Sequence, residues 1–423
     1  MGLASLASAC AAGNAFDPPG PPQTVTTPEA EYRTVYSTYA EICAVSELDK
    51  KPGFGAPIFS GIGGHAVLYL NGVCREKDVD YPVLVACTDA KAAPSDGVGL
   101  SVNAHYSNAE WVAVGGRDFF FDGEVGPGGA VTRDIYHRTQ DEAQAKGIYT
   151  GVDFHDVVFQ DMVPGFTREA FKYEMSIATD YAITYGRNRY CGRVPLSAAQ
   201  MQAAIRYLND QNAPYRKGEE FDWNLFEHNC AHMNHNALAA AGIWNALPTD
   251  QFFLLALLDF PVPENELVNL MRRTNDMPID DPMAMYHDPQ ARKLLLTEGR
   301  LPTMPGSIFD FGLIPQHNEV YDTNSKIIFY EDPFLGAYTR AFHKLLSQPR
   351  YYDLRANLKY FAGLYARIRA DDRPASWYIA REGGMNAADR AGFEAFYRVY
   401  RAYIDQQAIE VDRDLARLAS KTA

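Results

Sequence analysis

The chain has 423 residues, 47% of them hydrophobic and 13% aromatic, which is ample for two or three packed domains and excludes a disordered polymer. Thirty-nine basic against fifty-three acidic side chains leave a formal charge of −14. No Lys/Arg run reverses that sign locally, so the chain repels nucleic acid and offers no basic patch to an anionic membrane.

The first residues, MGLASLASACAAGNAF, are small and apolar and resemble the end of a bacterial export signal. They offer a lipoprotein site at Cys10 or a small-residue cleavage site near Ala15; an ordinary N-terminal tail is the plain alternative. The expectation is a periplasmic or envelope protein, with membrane attachment through a lipidated Cys10. DPPGPPQTVTTPEAE then reads as a linker, so residues 1–29 are set apart as signal remnant and linker. The longest apolar run, residues 252–258, is far short of the ~20 residues needed to cross a bilayer.

Residues 30–48 carry a helical period, with Tyr32, Val35, Tyr39, Ile42 and Cys43 on one face. His65 opens a strand over 65–70 after a Gly-rich turn. Asn71-Gly72 is a strong hairpin signal, and 73–76 returns. Residues 82–87 and 98–106 read as further strands, and 111–114 and 118–121 continue the β character. The sum is a mostly antiparallel sheet. Residues 190–194 look extended. A helix follows, with Ser197 as N-cap, Gln200 closing a capping box, and Met201, Ala204, Ile205 and Leu208 as its buried stripe. Beyond Gly242 the chain turns helical and proline-punctuated, ending in a long helix capped by Asn386. The expected organisation is an α+β catalytic domain over 30–245 and an α-helical accessory domain over 246–423.

Six cysteines fall at 10, 43, 74, 87, 191 and 230. With Cys10 as an anchor and Cys230 as a nucleophile, four remain, which suits two disulfides in an oxidising compartment. Cys74 and Cys87 lie in neighbouring strand-like runs and could pair, but the connectivity stays open.

The densest chemistry lies in FDWNLFEHNCAHMNHNALAAAG, residues 221–242. Its histidines, His228, His232 and His235, are spaced i, i+4 and i+7, as zinc ligands on one helical face can be. The Glu of a zinc-protease HExxH motif is absent, however, and Asn229 is a natural N-cap that would leave His228 off the helix. With that cap, Cys230 falls in the first turn, where free N–H groups and the helix dipole favour thiolate. Such a thiol needs an imidazole from a facing strand, and His65 is the candidate. Alternatively, Cys230 is simply a small buried residue.

Gly63-Gly64-His65-Ala66-Val67-Leu68-Tyr69-Leu70, followed far downstream by His228-Asn229-Cys230 at a helix start, resembles the circularly permuted papain-like (NlpC-type) superfamily. That superfamily includes lecithin:retinol acyltransferase-like and periplasmic lipoprotein N-acyltransferase-type domains. The resemblance spans roughly residues 60–242. It implies an antiparallel sheet packed on a Cys-bearing helix, and thiol-dependent acyl transfer through a Cys230 thioester with His65 as acid and base. The substrate would be a lipid-acyl or amide group of the cell envelope, and no cofactor or metal is needed. A peptidoglycan-peptide amidase and a non-catalytic envelope binding module are the alternatives. The superfamily's third polar residue orients the imidazole, and Glu76 and His105 compete for that place. Asn229 and Gly64 are the expected substrate-binding positions.

Overall fold

The fold is described from a computed structural model over residues 12–16, 26–56, 64–89, 91–93, 95–225, 228–249, 261–331 and 336–420. Cys10, Gly63 and the apolar run 252–258 lie outside these residues. The architecture is mixed α+β. A short strand β1 (Ala12–Phe16) pairs with β10 (Ile327–Glu331). The main sheet contains β2 (Tyr39–Val45), β3 (His65–Asn71), β6 (Gly97–Val102), β7 (Trp111–Gly115), β8 (Arg189–Pro195) and β9 (Ile308–Gly312). Its spatial order is β7-β6-β3-β2-β8-β9, antiparallel throughout. A separate hairpin joins β4 (Val73–Arg75) and β5 (Leu84–Ala86).

The register sorts side chains into two faces, because directly opposed residues of an antiparallel pair point the same way. One face carries His65, Val67 and Tyr69, with Glu41, Cys43 and Val45 opposite them and Arg189, Cys191 and Arg193 beyond. This face is covered by the aromatic segment after β7: the Phe120 ring occupies the space a side chain at Gly99 would need. The other face presents Leu68, Leu70, Ile42, Ala44 and Tyr190 to the helices. The Ala198–Arg216 and Cys230–Ala240 helices pack on each other, the latter against β3, and the Pro263–Asn275 helix covers β2 and β8. Further helices follow, the longest being Leu354–Ala370 against Ala387–Ala419.

Being covered on both sides explains the main departure from the sequence expectation. Residues 30–48 are not one helix: Glu29–Val35 is helical, and the chain then becomes β2, buried at every position. A strand buried on both faces shows no polar alternation, so its apolar run imitates a helical stripe. The reverse happened at 118–121, where Arg117–Asp122 is a short helix with Phe119, Phe120 and Phe121 all buried. Of residues 82–87 only Leu84–Ala86 is a strand, and it lies in the β4–β5 hairpin and not in the main sheet. The capping box at Ser197 and Gln200 and the Asn386 cap are present.

Two disulfides form, Cys43–Cys191 and Cys74–Cys87. The first joins directly opposed residues of β2 and β8. The sheet draws its sixth strand, β9, from beyond residue 245, and the main hydrophobic core runs continuously from Tyr32 to Leu418. Among the described residues, no helix is long and apolar enough to cross a membrane.

Candidate active site

The end of β2, the start of β3, the end of β6 and the approach to β8 meet at one end of the sheet. The Cys230–Ala240 helix brings its N-terminus to the same place. Its cap is Asn229, whose Oδ1 accepts from the N–H groups of Ala231 and His232 at 2.8 and 3.0 Å. The Asn229 Nδ2 donates to the Leu225 carbonyl at 2.6 Å. This fixes Cys230 as the first helical residue. It is half-buried and is the free cysteine among the described residues. The Ala66 N–H donates to its Sγ at 3.4 Å, so the sulfur rests on the β3 backbone one residue beyond His65.

His65 is buried, with Nε2 3.0 Å from the Ser101 hydroxyl. That hydroxyl donates to Asp180 Oδ1 at 2.7 Å, and the Thr179 carbonyl lies at 3.2 Å. A serine has a single proton to give. Spent on either acceptor, it leaves Ser101 able only to accept from the imidazole. The ring proton is therefore on Nε2, and Nδ1 keeps its lone pair. Asp180 is itself held by the hydroxyls of Tyr106 and Tyr149, the latter at 3.0 Å, and by the Asn103 amide at 3.3 Å. The line His65–Ser101–Asp180 thus locks both tautomer and ring orientation.

Burial dominates the charges. It pushes the Cys230 thiol up to about 11; the Ala66 and Ala231 N–H groups oppose this less strongly, and Glu264 adds to it. Burial, then the Arg187 guanidinium, bring His65 down to about 3, against a smaller opposing effect from the Thr179 carbonyl. At neutral pH the pair therefore rests as thiol and neutral imidazole. The first-turn position does not produce the resting thiolate expected from sequence, because desolvation of the anion outweighs the N–H groups around it. Arg187 is buried, anchored by Nε to the Ala178 carbonyl at 2.8 Å and by Nη1 to the Ser46 carbonyl at 2.7 Å. Burial lowers its own value only to about 10, so it stays cationic beside the thiol, with Cys230 first among the groups that favour its charge.

No protein-family model, curated protein or solved structure matches the chain. The chemistry rests on the site's own geometry.

That geometry brings together Cys230 and the start of β3, where His65 stands. It does not bring Glu76 or His105 to the imidazole; their expected place is taken by Ser101. Glu76 bridges to Ala92 beside the β4–β5 hairpin. His105 packs its ring against Phe154, and burial lowers its pKa while the nearby Asp180 opposes the shift. Asn229 and Gly64, expected to touch substrate, spend their contacts on the protein. Asn229 is the helix cap. Gly64 adopts φ +63°, and a Cβ there would come within 2.5 Å of Glu264 Oε1 and 2.6 Å of the Val45 carbonyl. The three local histidines do not share a helical face, since His228 precedes the cap. His235 faces Glu266 through Nδ1 at 2.5 Å and the Asn245 carbonyl through Nε2 at 2.8 Å, with its ring stacked on Trp244. Among the described residues, the one grouping spaced for a metal is Glu41, Cys43 and Cys191, whose two sulfurs are joined to each other. Ser101 is reached only through the β3–β6 register, and Asp180, Arg187 and Glu264 only through packing between segments distant in sequence. Nothing in their local sequence marks them.

Proposed function

We propose that this chain is a thiol-dependent acyl-transfer enzyme of the permuted papain-like type, with Cys230 as nucleophile and His65 as general acid and base. The observation that carries this reading is a free thiol, set at a helix start by Asn229, that rests on the β3 backbone beside His65. The far nitrogen of that histidine is tied to Ser101 and Asp180. Because the resting pair is neutral, the thiol proton moves to Nδ1 as Sγ attacks, as a serine nucleophile's would, and the same proton then goes to the leaving group. Arg187 supplies positive charge to the sulfur as it becomes anionic. Acyl groups of envelope lipids or amides are the substrate class, and two disulfides support an oxidising compartment.

The test is turnover of a simple p-nitrophenyl acyl ester. Cys230→Ala is expected to abolish nitrophenol release, and His65→Ala to lower it by a factor on the order of 10²–10⁴. Full turnover by Cys230→Ala would overturn the assignment. Full biological activity of that variant would instead favour a non-catalytic envelope module.

A further inference from the structure

The C-terminal half reaches into this site through one residue. Glu264 lies in the first turn of the Pro263–Asn275 helix and is 1% exposed. Its Oε1 sits where a side chain on Gly64 would be, directly before His65. Its Oε2 is buried and has no hydrogen-bond partner. A buried carboxyl oxygen without a partner is costly, so an unspent one close to a nucleophile points to a ligand group. The charged and titratable groups acting on it are Glu47, Arg187, Cys230 and, more weakly placed, the Tyr330 phenol. Burial holds the carboxyl protonated well above the ordinary carboxylate range; its own backbone N–H and, less, the Arg187 charge oppose this without prevailing, and Glu47 adds to it.

A neutral carboxylic acid is a hydrogen-bond donor, the role that a desolvated acid takes when it stabilises a developing oxyanion. We infer that Glu264 is a further catalytic residue, donating its O–H to the carbonyl oxygen of the acyl group under attack by Cys230. This rests on the proposed acyl transfer. As the Sγ–C bond forms, the thiol proton passes to His65 Nδ1 and the carbonyl π pair moves onto oxygen. Glu264 hydrogen-bonds that oxygen and keeps its own proton. On collapse the pair returns, the bond to the leaving oxygen or nitrogen breaks, and His65 protonates the leaving atom. No other reactant is consumed.

The distinguishing experiment compares two reactions of Cys230 at pH 7 in the full chain. Acylation by p-nitrophenyl butyrate passes through an oxyanion; alkylation by iodoacetamide does not. Glu264→Ala is expected to slow acylation by a factor on the order of 10²–10³, the usual cost of one oxyanion donor, with alkylation within about threefold of wild type. Glu264→Gln, which keeps a donor, should recover most of the acylation rate. Equal acylation by wild type and Glu264→Ala overturns the inference while leaving the nucleophile intact. So does parallel loss of both reactions in Glu264→Ala and Glu264→Gln, which would make the residue structural. If wild-type Cys230 is neither acylated nor alkylated, the acyl-transfer reading fails and the role of Glu264 fails with it.

Discussion

A thiol and an imidazole can share a proton in two ways, and the surroundings of Cys230 select one. Papain-like sites with a resting thiolate–imidazolium pair have a strongly lowered thiol pKa. Here burial acts in opposite senses on the two groups, raising the thiol to about 11 and lowering the imidazole to about 3. Both shifts favour the neutral forms. The sign is then fixed: thiolate is gained only as pH rises, and at pH 7 it is about one part in 10⁴, four pKa units below the thiol value. Iodoacetamide, which needs the thiolate, should therefore alkylate Cys230 about tenfold faster for each pH unit between 7 and 10. A flat rate across that range, with an inflection in the acid region, would mean that the ion pair exists at rest. In the proposed reaction the base is an imidazole whose Nδ1 is unprotonated, a tautomer that the Ser101 hydroxyl enforces.

The elements that present these two residues differ in how they are held. The Cys230–Ala240 helix is positioned by its cap. Asn229 bonds two N–H groups inside the helix and the Leu225 carbonyl outside it, so it sets both where the helix begins and how the chain enters it. Asn229→Ala should cost about 1–2 kcal/mol, read as a lowered urea midpoint with unchanged slope. An unchanged midpoint would contradict the role given to the cap. This cap was legible in the sequence, as were the Ser197–Gln200 box and the strand opened by His65, because each is written in a few adjacent residues. What could not be read depends on partners distant in sequence. The β2 segment YAEICAV looked helical because layers on both sides bury it, and no local residue reports a second layer. RDFFFD looked extended because three adjacent phenylalanines carry no period. Ser101 replaced Glu76 and His105 as the imidazole's partner because the β3–β6 register brings it to His65, which composition cannot reveal.

On the scale of the whole molecule, the main core takes residues from Tyr32 to Leu418, and a second cluster packs Leu267, Val268 and Met271 against Ala44, Tyr190 and Phe309. β9 and the Pro263–Asn275 helix, both beyond residue 245, extend the sheet and cover β2 and β8. On the opposite face, Glu41 and Asp310 bind Arg117, Arg189 and Arg193, linking β2, β8 and β9 to the short helix after β7. Buried ions of this kind are costly to separate, and stacking on Tyr32, Tyr39 and Phe121 offsets part of the desolvation of the guanidinium groups. The Cys43–Cys191 bridge crosses the same strands. This rigid frame holds one end of the sheet fixed, where the segments bearing His65 and Ser101 and the start of the Cys230 helix converge. That convergence is proposed to make a covalent acyl intermediate. The direct measurement is rapid quenching of the full chain with p-nitrophenyl butyrate, followed by peptide mass spectrometry. The expected result is one butyryl group on Cys230, released by hydroxylamine as a thioester should be, and formed at least a hundredfold more slowly in His65→Ala. No adduct on Cys230, or acylation at an unchanged rate without His65, would contradict it.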